Sequence, residues 1–375
     1  MKRSCVIRYL FSSTSRSADR WKSVDYSIYS PGGACASSSC SSLVAIVVVR
    51  SKNWGLSEIK TMATTTVTSL KSYPETVDAG HTVLQLTTAY GPEWRIISAK
   101  PPRDATSDEV PIIDLSRVYS DSLADRQAVA DEIRAAATNT GFFYIKNHGI
   151  PEETIDACLT ASKDFFHQPP EVKERVSYTK SKWINGWNPP NSHRTNASES
   201  IDRREKFGFR YDPKYDPAIL DVEAIPPESK AAFRCEDFYW DTNLPHFKRD
   251  ALAYWRACLG VARRLVRIFA LALHLPEDYF DQMTSHPDGN IALNYYPQLP
   301  EGVIRDAKNA EMVSAGSHTD LQFFTMLWQD MNGGLQVLNR QGEWLNAKPI
   351  EGTMVVNIGD YLMRITNDQV GCRIE

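Results

Sequence analysis

The chain has 375 residues, of which 42% are hydrophobic and 23% are charged, with a formal net charge of −4. This is the composition of an ordinary globular protein, and the charge gives no electrostatic reason to expect nucleic acid as a partner. The longest apolar run of the N-terminal region, residues 43–49, is too short to cross a bilayer, so we expect no membrane span. The seven cysteines form no CxxC pair, and their odd number argues against a disulfide framework. A reducing, cytoplasmic compartment is therefore the expectation.

Residues 1–61 differ in composition from the rest of the chain. They begin with an Arg- and Ser-rich stretch that resembles a transit peptide, and PGGACASSSCSS (31–42) is of low complexity. Met62 offers a second plausible start. We expect residues 1–61 to be a disordered or mis-annotated N-terminal extension, with a working targeting peptide as the alternative, and residues 62–107 to form an N-terminal arm.

Residues 108–240 are predicted to form a helical and β N-terminal region. Four elements follow one another in the order β-α-β-α: residues 110–116, 121–140, 141–149 and 151–169. The first helix is Ala-rich and amphipathic with Gly141 at its end, and the second is opened by Pro151. This order predicts a helical layer against a sheet.

Two longer segments follow. Residues 179–200 are polar and carry Trp183 and Trp187, which favours a lid-like loop, with an exposed connection as the alternative. Residues 204–213 are then predicted to be a strand. In the region 241–285, apolar residues recur at helical spacing over 246–274, which predicts a long support helix with Arg263, Arg264 and Arg267 on its solvent side.

The last third, residues 286–375, is dominated by short β-prone segments separated by Gly-rich turns. The segments are residues 291–299, 318–330, 334–350 and 352–362. Together with the helices before them, they predict an α+β fold in which a sandwich or jelly roll carries the C-terminal region.

The tripeptide His318-Thr319-Asp320 is a candidate metal site. About one His-x-acid triplet is expected by chance in this composition, and the chain has a second, His286-Pro287-Asp288, followed by a glycine. Pro-Asp-Gly is a turn sequence, so His286 and Asp288 should diverge around a bend. His318 and Asp320 lead into the β-prone run LQFFTMLW, where residues i and i+2 of a strand project from one face. The sequence therefore favours His318 and Asp320 as ligands of one ion.

An imidazole nitrogen with a carboxylate oxygen suits a borderline metal. Two histidines and one carboxylate with open positions are diagnostic of non-haem Fe(II) oxygenases. Zinc hydrolases use related ligand sets and are the chemical rival, although the chain contains no HExxH.

Several motifs surround this tripeptide in a recognisable order. They are VPIIDLS (110–116), GFFYIKNHGIP (141–151), NYYP (294–297), GLQVL (334–338) and VVNIGD (355–360). In this order, over about residues 108–369, the chain resembles the Fe(II)- and 2-oxoglutarate-dependent dioxygenase superfamily, in the branch that contains isopenicillin N synthase and many plant and fungal natural-product oxygenases. Ordered motifs in a fitting strand context make a chance match improbable.

The resemblance implies a fold, an activity and a set of site residues. The fold is α+β with a double-stranded β-helix (jelly roll) core flanked by helices, and the last strands of that core are missing. The activity is oxidative decarboxylation of 2-oxoglutarate coupled to oxidation of a small-molecule substrate, in secondary metabolism, by a monomer. Fe(2+), 2-oxoglutarate and O2 are the implied cofactor and cosubstrates. His318 and Asp320 are the implied iron ligands and catalytic residues, and Asn294 and Tyr296 are implied contacts of 2-oxoglutarate.

The family pattern breaks after Gln369. No histidine follows Asp320, the Arg-x-Ser that holds the far carboxylate of 2-oxoglutarate in the family is absent, and the distal histidine aligns roughly with Glu375. Three interpretations remain open: a truncated or mis-spliced form, which the abrupt loss of pattern favours; a stable but inactive binding protein; and an enzyme that uses Glu375 or the terminal carboxylate as its third ligand. We expect Asp360, in NIGD, to form a turn and not to bind the metal.

Overall fold

The computed structural model describes residues 4–11, 77–88, 91–298, 314–372 and 374–375. Its strands are β1 (Ser4–Phe11), β2 (His81–Thr88), β3 (Gly91–Ser98), β4 (Arg103–Asp104), β5 (Ile112–Asp114), β6 (Phe142–Lys146), β7 (Gly186–Asn188), β8 (Glu205–Phe209), β9 (Asn290–Tyr296), β10 (Phe324–Gln329), β11 (Gln336–Leu338), β12 (Trp344–Asn346) and β13 (Thr353–Ile358). Its helices are α1 (Leu123–Asn139), α2 (Glu152–Phe166), α3 (Pro170–Lys173), α4 (Pro227–Lys230), α5 (Phe247–Ala272) and α6 (Asp360–Ile365). None of the helices in these ranges is long and apolar enough to cross a membrane.

One large sheet organises the fold. Its eight strands lie in the order β5-β6-β13-β10-β1-β9-β8-β7, and every neighbouring pair is antiparallel except β5 and β6. Two smaller sheets have the orders β11-β12-β4 and β2-β3. The predicted α+β class is confirmed by this arrangement, since α1, α2 and α5 contribute buried side chains to the same core as one face of the large sheet.

Helix α5 confirms the predicted support helix. It buries Trp255, Leu259 and Leu265 completely in the main core, as the helical spacing of its apolar residues requires. Arg263 departs from the predicted solvent side, because its guanidinium makes two bonds of 2.8 and 2.6 Å to the buried carboxylate of Asp216. The charge of Arg263 therefore neutralises a buried acid.

Strand β1 comes from the region predicted to be a disordered or mis-annotated extension. It lies between β9 and β10 and is antiparallel to both, which makes it a central strand of the large sheet. Cys5, Ile7 and Tyr9 alternate into the buried interior, and Ile7 and Tyr9 are 0% exposed. Disorder is thus wrong for residues 4–11, because a period-two pattern of apolar side chains fills a gap in the sheet. For residues 1–3 and 12–61 that prediction lies outside the described residues.

The strand predicted over residues 318–330 begins later than expected. β10 starts at Phe324, so His318 and Asp320 precede the strand and do not lie on one of its faces. The backbone of His318 instead bonds with that of Glu375, at 3.1 Å from its N–H and 3.0 Å to its carbonyl oxygen. The segment predicted over 352–362 likewise divides into β13 and α6, and Asp360 is the first residue of that helix.

A buried ion pair joins the helical layer to the sheet. Nζ of Lys173 lies 2.7 Å from Oε2 of Glu205 and 2.9 Å from the carbonyl oxygen of Phe166, and both charged residues are buried. Replacing Lys173 with methionine should destabilise the fold by about 3 kcal/mol, because it leaves a buried carboxylate without its cation. Nε1 of Trp187 donates a hydrogen bond of 2.9 Å to the same Oε2 of Glu205, which reduces the loss of stability.

Lys230 offers a matched control for this substitution. Its ion pair with Glu223, at 2.9 Å, is at the surface, where such pairs contribute about 0–1 kcal/mol. Urea denaturation should therefore separate Lys173→Met from Lys230→Met by at least about 2 kcal/mol. Equal midpoints for the two variants would contradict a structural role for the buried pair.

Candidate metal centre

The turn that carries the predicted ligands, residues 314–320, is fixed by hydrogen bonds to the segment 196–202. Ser317 donates its N–H and its hydroxyl to the carboxylate of Glu199, at 2.5 and 2.6 Å. Asn196 donates its amide to the carbonyl oxygen of Ser317 at 3.2 Å, and Gly316 donates its N–H to Asp202 at 3.3 Å. These bonds hold the turn rigidly although it belongs to no strand.

The ring of His318 is oriented for binding through Nε2. Its Nδ1 lies 2.8 Å from the carbonyl oxygen of Gly316, and because a carbonyl only accepts, Nδ1 must carry the proton. Nε2 therefore presents its lone pair to the interior. A backbone partner on the other ring nitrogen is the usual support of a metal-binding histidine.

Asp320 is oriented in the same way by two side chains of the sheet. Its Oδ2 accepts from Oγ1 of Thr325 at 2.5 Å and from Nδ2 of Asn357 at 3.0 Å. Burial alone would raise the pKa of Asp320, but the nearby Arg8 and His318 and these two hydrogen bonds lower it below its usual value. Asp320 is thus a carboxylate, and its Oδ1 lies 3.8 Å from Nε2 of His318.

Glu375 completes a cluster of three donors. Its Oε1 lies 3.4 Å from Nε2 of His318, and the three donor atoms lie within 4.8 Å of one another. Both carboxylate oxygens of Glu375 are buried, Oε1 lies 2.7 Å from the guanidinium of Arg8, and burial raises the pKa of this carboxyl group. One imidazole and two buried carboxylates that converge in this way are a donor set that fits a divalent cation of the Fe(II) or Zn(II) type.

A guanidinium group from β1 lies among these donors. Nη1 of Arg8 is 2.7 Å from Oε1 of Glu375, 3.1 Å from Nε2 of His318 and 4.0 Å from Oδ1 of Asp320. Arg8 is itself buried, and its attraction to Glu375 and Asp320 outweighs the effect of burial and raises the pKa of the guanidinium. It therefore stays a cation in contact with all three donors.

Asn294, a predicted contact of 2-oxoglutarate, lies on the sheet face that carries Arg8. The register pairs Asn294 with Val6, two residues from Arg8 on the same strand face. Asn294 is 0% exposed, and its Oδ1 has no hydrogen-bond partner within the described ranges. Tyr296 follows two residues later on the same face and is half-buried. The cosubstrate roles of both residues stay predictions.

The other candidates lie elsewhere. Asp288 is 3.8 Å from Arg210, and the ring of His286 lies beside that of Phe233, so the second His-x-Asp does not join the cluster. Asp360 is adjacent to the cluster but not part of it: its N–H donates to the carbonyl oxygen of Asp320 at 2.7 Å. It supports the turn that carries Asp320.

Three residues of the site, Arg8, Thr325 and Asn357, were not predicted from the sequence. Thr325 and Asn357 are directly paired across β10 and β13, and both lie in segments that the sequence predicts to be strands. Knowledge of the register between these two strands would have placed both residues beside Asp320. Arg8 lies in an alternating run, CVIRYLF, whose β character was obscured by the low-complexity residues that follow it.

Two family models match the chain. Residues 110–228 match the N-terminal region of the non-haem dioxygenases in morphine synthesis, and residues 287–372 match the 2OG-Fe(II) oxygenase superfamily. The two matches contain most of the fold and two of the three cluster residues.

Whole-chain comparisons agree with these matches. The 2-oxoglutarate-Fe(II) type oxidoreductase ppzC of Metarhizium majus (strain ARSEF 297) is 46% identical over 313 residues, which is 81% of each chain. The protein of the same name from Metarhizium rileyi (strain RCEF 4871) is 45% identical over 308 residues, again 81% of each chain. A full-length Neurospora crassa protein solved in complex with alpha-KG superposes with a TM-score of 0.59 at 26% identity, over 73% of this chain and 81% of that one.

Proposed function

Because the chain belongs to the 2OG-Fe(II) oxygenase superfamily, we propose that it oxidises a small organic molecule of secondary metabolism by hydroxylation, desaturation or cyclisation. Membership also confirms the predicted jelly-roll core and identifies Fe(2+), 2-oxoglutarate and O2 as the cofactor and cosubstrates of the family. The particular reaction, the substrate, the cytoplasmic location and the monomeric state stay predictions.

Three atoms of this chain would hold the iron: Nε2 of His318, Oδ1 of Asp320 and Oε1 of Glu375. The observation that carries the proposal is their convergence, within 4.8 Å, from a turn before β10 and from a residue 55 positions further along the chain. When bound, iron with 2-oxoglutarate and O2 supplies the oxidising power, with succinate and CO2 as the coproducts. Glu375 aligns roughly with the family's distal histidine, so a ligand set that includes Glu375 would have one more negative charge than the family pattern.

The chain's own residues prepare this site before any ligand arrives. Gly316 fixes the proton of His318 on Nδ1, and Thr325 and Asn357 occupy one oxygen of Asp320 so that the other remains available. Burial of Asp320 and Glu375 excludes water, which strengthens their interaction with a cation. These residues orient the donors and lower the cost of reorganisation on metal binding.

Anaerobic addition of Fe(II) and 2-oxoglutarate tests the proposal. A weak visible charge-transfer band is expected, followed by succinate formation when O2 is admitted. A zinc hydrolase would give neither signal. Absence of both signals, in protein whose Glu375 is verified by mass spectrometry, would favour a non-catalytic binding protein.

A further inference from the structure

A cavity of about 280 Å³ is lined by residues between positions 184 and 206, including Asn188 of β7 and Lys206 of β8. Its wall includes Lys206, Arg204 and Arg194, and Asp202 is the one carboxylate among its lining residues. Asp202 is already engaged, because it accepts from the N–H and hydroxyl of Thr195 and lies 3.3 Å from Arg204. The lining therefore has an excess of positive charge.

Lys206 is a cation of this wall that has no ion-pair partner among the described residues. It is only partly exposed, and within the described part of the chain it makes no hydrogen bond and no ion pair. Burial first, and then the positive charges of Arg204 and Arg210, lower the pKa of Lys206 to about 8, so it is mostly charged at neutral pH. A buried cation without a counterion is costly unless a ligand supplies the missing charge.

The cavity and the metal centre share a structural element. Asp202, in the cavity wall, accepts the N–H of Gly316, and the carbonyl oxygen of the same Gly316 holds the ring of His318. Lys206 is also the register partner of Asn294, and both project from the sheet face that carries Arg8. The cavity wall is thus connected to the turn that carries His318 and shares a sheet face with Arg8.

We propose that this cavity binds a carboxylate of a small-molecule ligand, with Lys206 as its counterion and Arg204 beside it. The inference rests on the proposed function, since the carboxylate would belong either to 2-oxoglutarate or to the organic substrate. The cavity is slightly smaller than a typical drug-sized pocket, which fits a compact metabolite.

Titration of glutarate into the metal-free protein tests the anion site separately from catalysis. Lys206→Met should weaken glutarate binding at least about tenfold, which corresponds to the loss of one good charge pair. Lys348→Met is the matched control, because Lys348 is exposed and pairs with Asp104 outside the cavity. Equal binding by Lys206→Met and the wild type, or no binding by either, would overturn the proposal.

Competition distinguishes the two sources of the carboxylate. If 2-oxoglutarate displaces glutarate, the site holds the cosubstrate; if both bind together, it holds the substrate. This assay contains neither iron nor O2, so a protein without oxygenase activity would still bind glutarate if the anion site exists. A protein that is active but does not bind glutarate would support the proposed function and contradict the anion site.

Arg8 supports a second inference, which a different observation carries and which rests on the metal ligands of the proposed function. Metal–nitrogen and metal–oxygen bonds are about 2.0–2.2 Å long, so a divalent ion would have to lie between the three donors, in the space that Nη1 of Arg8 reaches. Two cations cannot share this space, because their repulsion at such a distance is strong where water is excluded. The guanidinium of Arg8 and a metal ion therefore cannot occupy the space between the three donors at the same time.

We infer that Arg8 is a built-in competitor for the metal, carried by β1 from the N-terminus of the chain. It neutralises Asp320 and Glu375 when no ion is bound, and it must leave before an ion can bind. Metal loading is thereby coupled to the position of the Arg8 side chain.

Co(II) titration of the full chain, followed by visible absorption, tests this inference. Arg8→Met should bind Co(II) at least about tenfold more tightly than the wild type, and its melting temperature should rise more on Co(II) addition. Tyr9→Phe, on the opposite face of the same strand, should behave as the wild type. If Arg8→Met fails to fold, Arg8→Gln serves in its place. Unchanged or weaker Co(II) binding by the folded variant would overturn the inference.

Discussion

Replacing Asp320 with asparagine is expected to lower Co(II) affinity by at least about 100-fold and to abolish succinate formation. The amide retains the shape and one acceptor oxygen, but it removes the negative charge that attracts the ion. Because Thr325 and Asn357 both donate to Oδ2, the amide oxygen takes that position, and the NH2 group replaces Oδ1, the proposed metal donor, with a group that has no free lone pair. Both effects act on metal binding, which the titration measures directly.

The second His-x-Asp of the chain provides the control. Asp288→Asn changes the same chemical group in the same sequence pattern, but Asp288 lies beside Arg210 and outside the donor cluster. Co(II) affinity of Asp288→Asn should equal that of the wild type. An Asp320→Asn variant that binds Co(II) within about threefold of the wild type would remove Asp320 from the proposed ligand set.

Replacing Ile7 with asparagine is expected to destabilise the protein by about 4 kcal/mol or more. Ile7 is 0% exposed in the main core, between β9 and β10. The change removes a buried aliphatic side chain, which costs about 2–5 kcal/mol of stability, and it places an amide in an apolar core that offers it no hydrogen-bond partner. Chemical denaturation followed by circular dichroism measures the loss.

Ile96 is the matched control for this substitution. It is also an isoleucine in a strand, β3, but it is 49% exposed. Ile96→Asn should cost less than about 1 kcal/mol, because exposed substitutions rarely cost more. If Ile7→Asn were no more destabilising than Ile96→Asn, β1 would not belong to the folded core, and the inference about Arg8 would lose its structural basis.

Much of the fold was predictable because its signals are local. The helical spacing of Trp255, Leu259 and Leu265 predicted α5, and Gly141 marked the end of α1, where it adopts a φ of +76° that favours glycine. The motif HTD likewise identified His318 and Asp320. The prediction that these two residues lie on one face of a strand was wrong, since β10 begins only at Phe324.

The remaining site residues depend on strand pairing between distant segments. Thr325 and Asn357 bind the same carboxylate only because β10 and β13 are adjacent, with these two residues in register. Lys206 reaches the same face through β8 and β9. A one-residue change of register would turn each of these side chains to the opposite face, so composition alone could not identify them.

By itself, the sequence determined the three long helices, most strands, the family and two candidate donors, because hydrophobic periodicity and short motifs act over a few residues. Only the tertiary structure decided that Glu375 meets His318, and that a strand from the N-terminus fills the sheet and brings Arg8 between them. The contact between Arg8 and His318 joins residues 310 positions apart in the sequence. Such contacts follow from which strand edge is left unpaired in the folded sheet, a property that no local pattern contains.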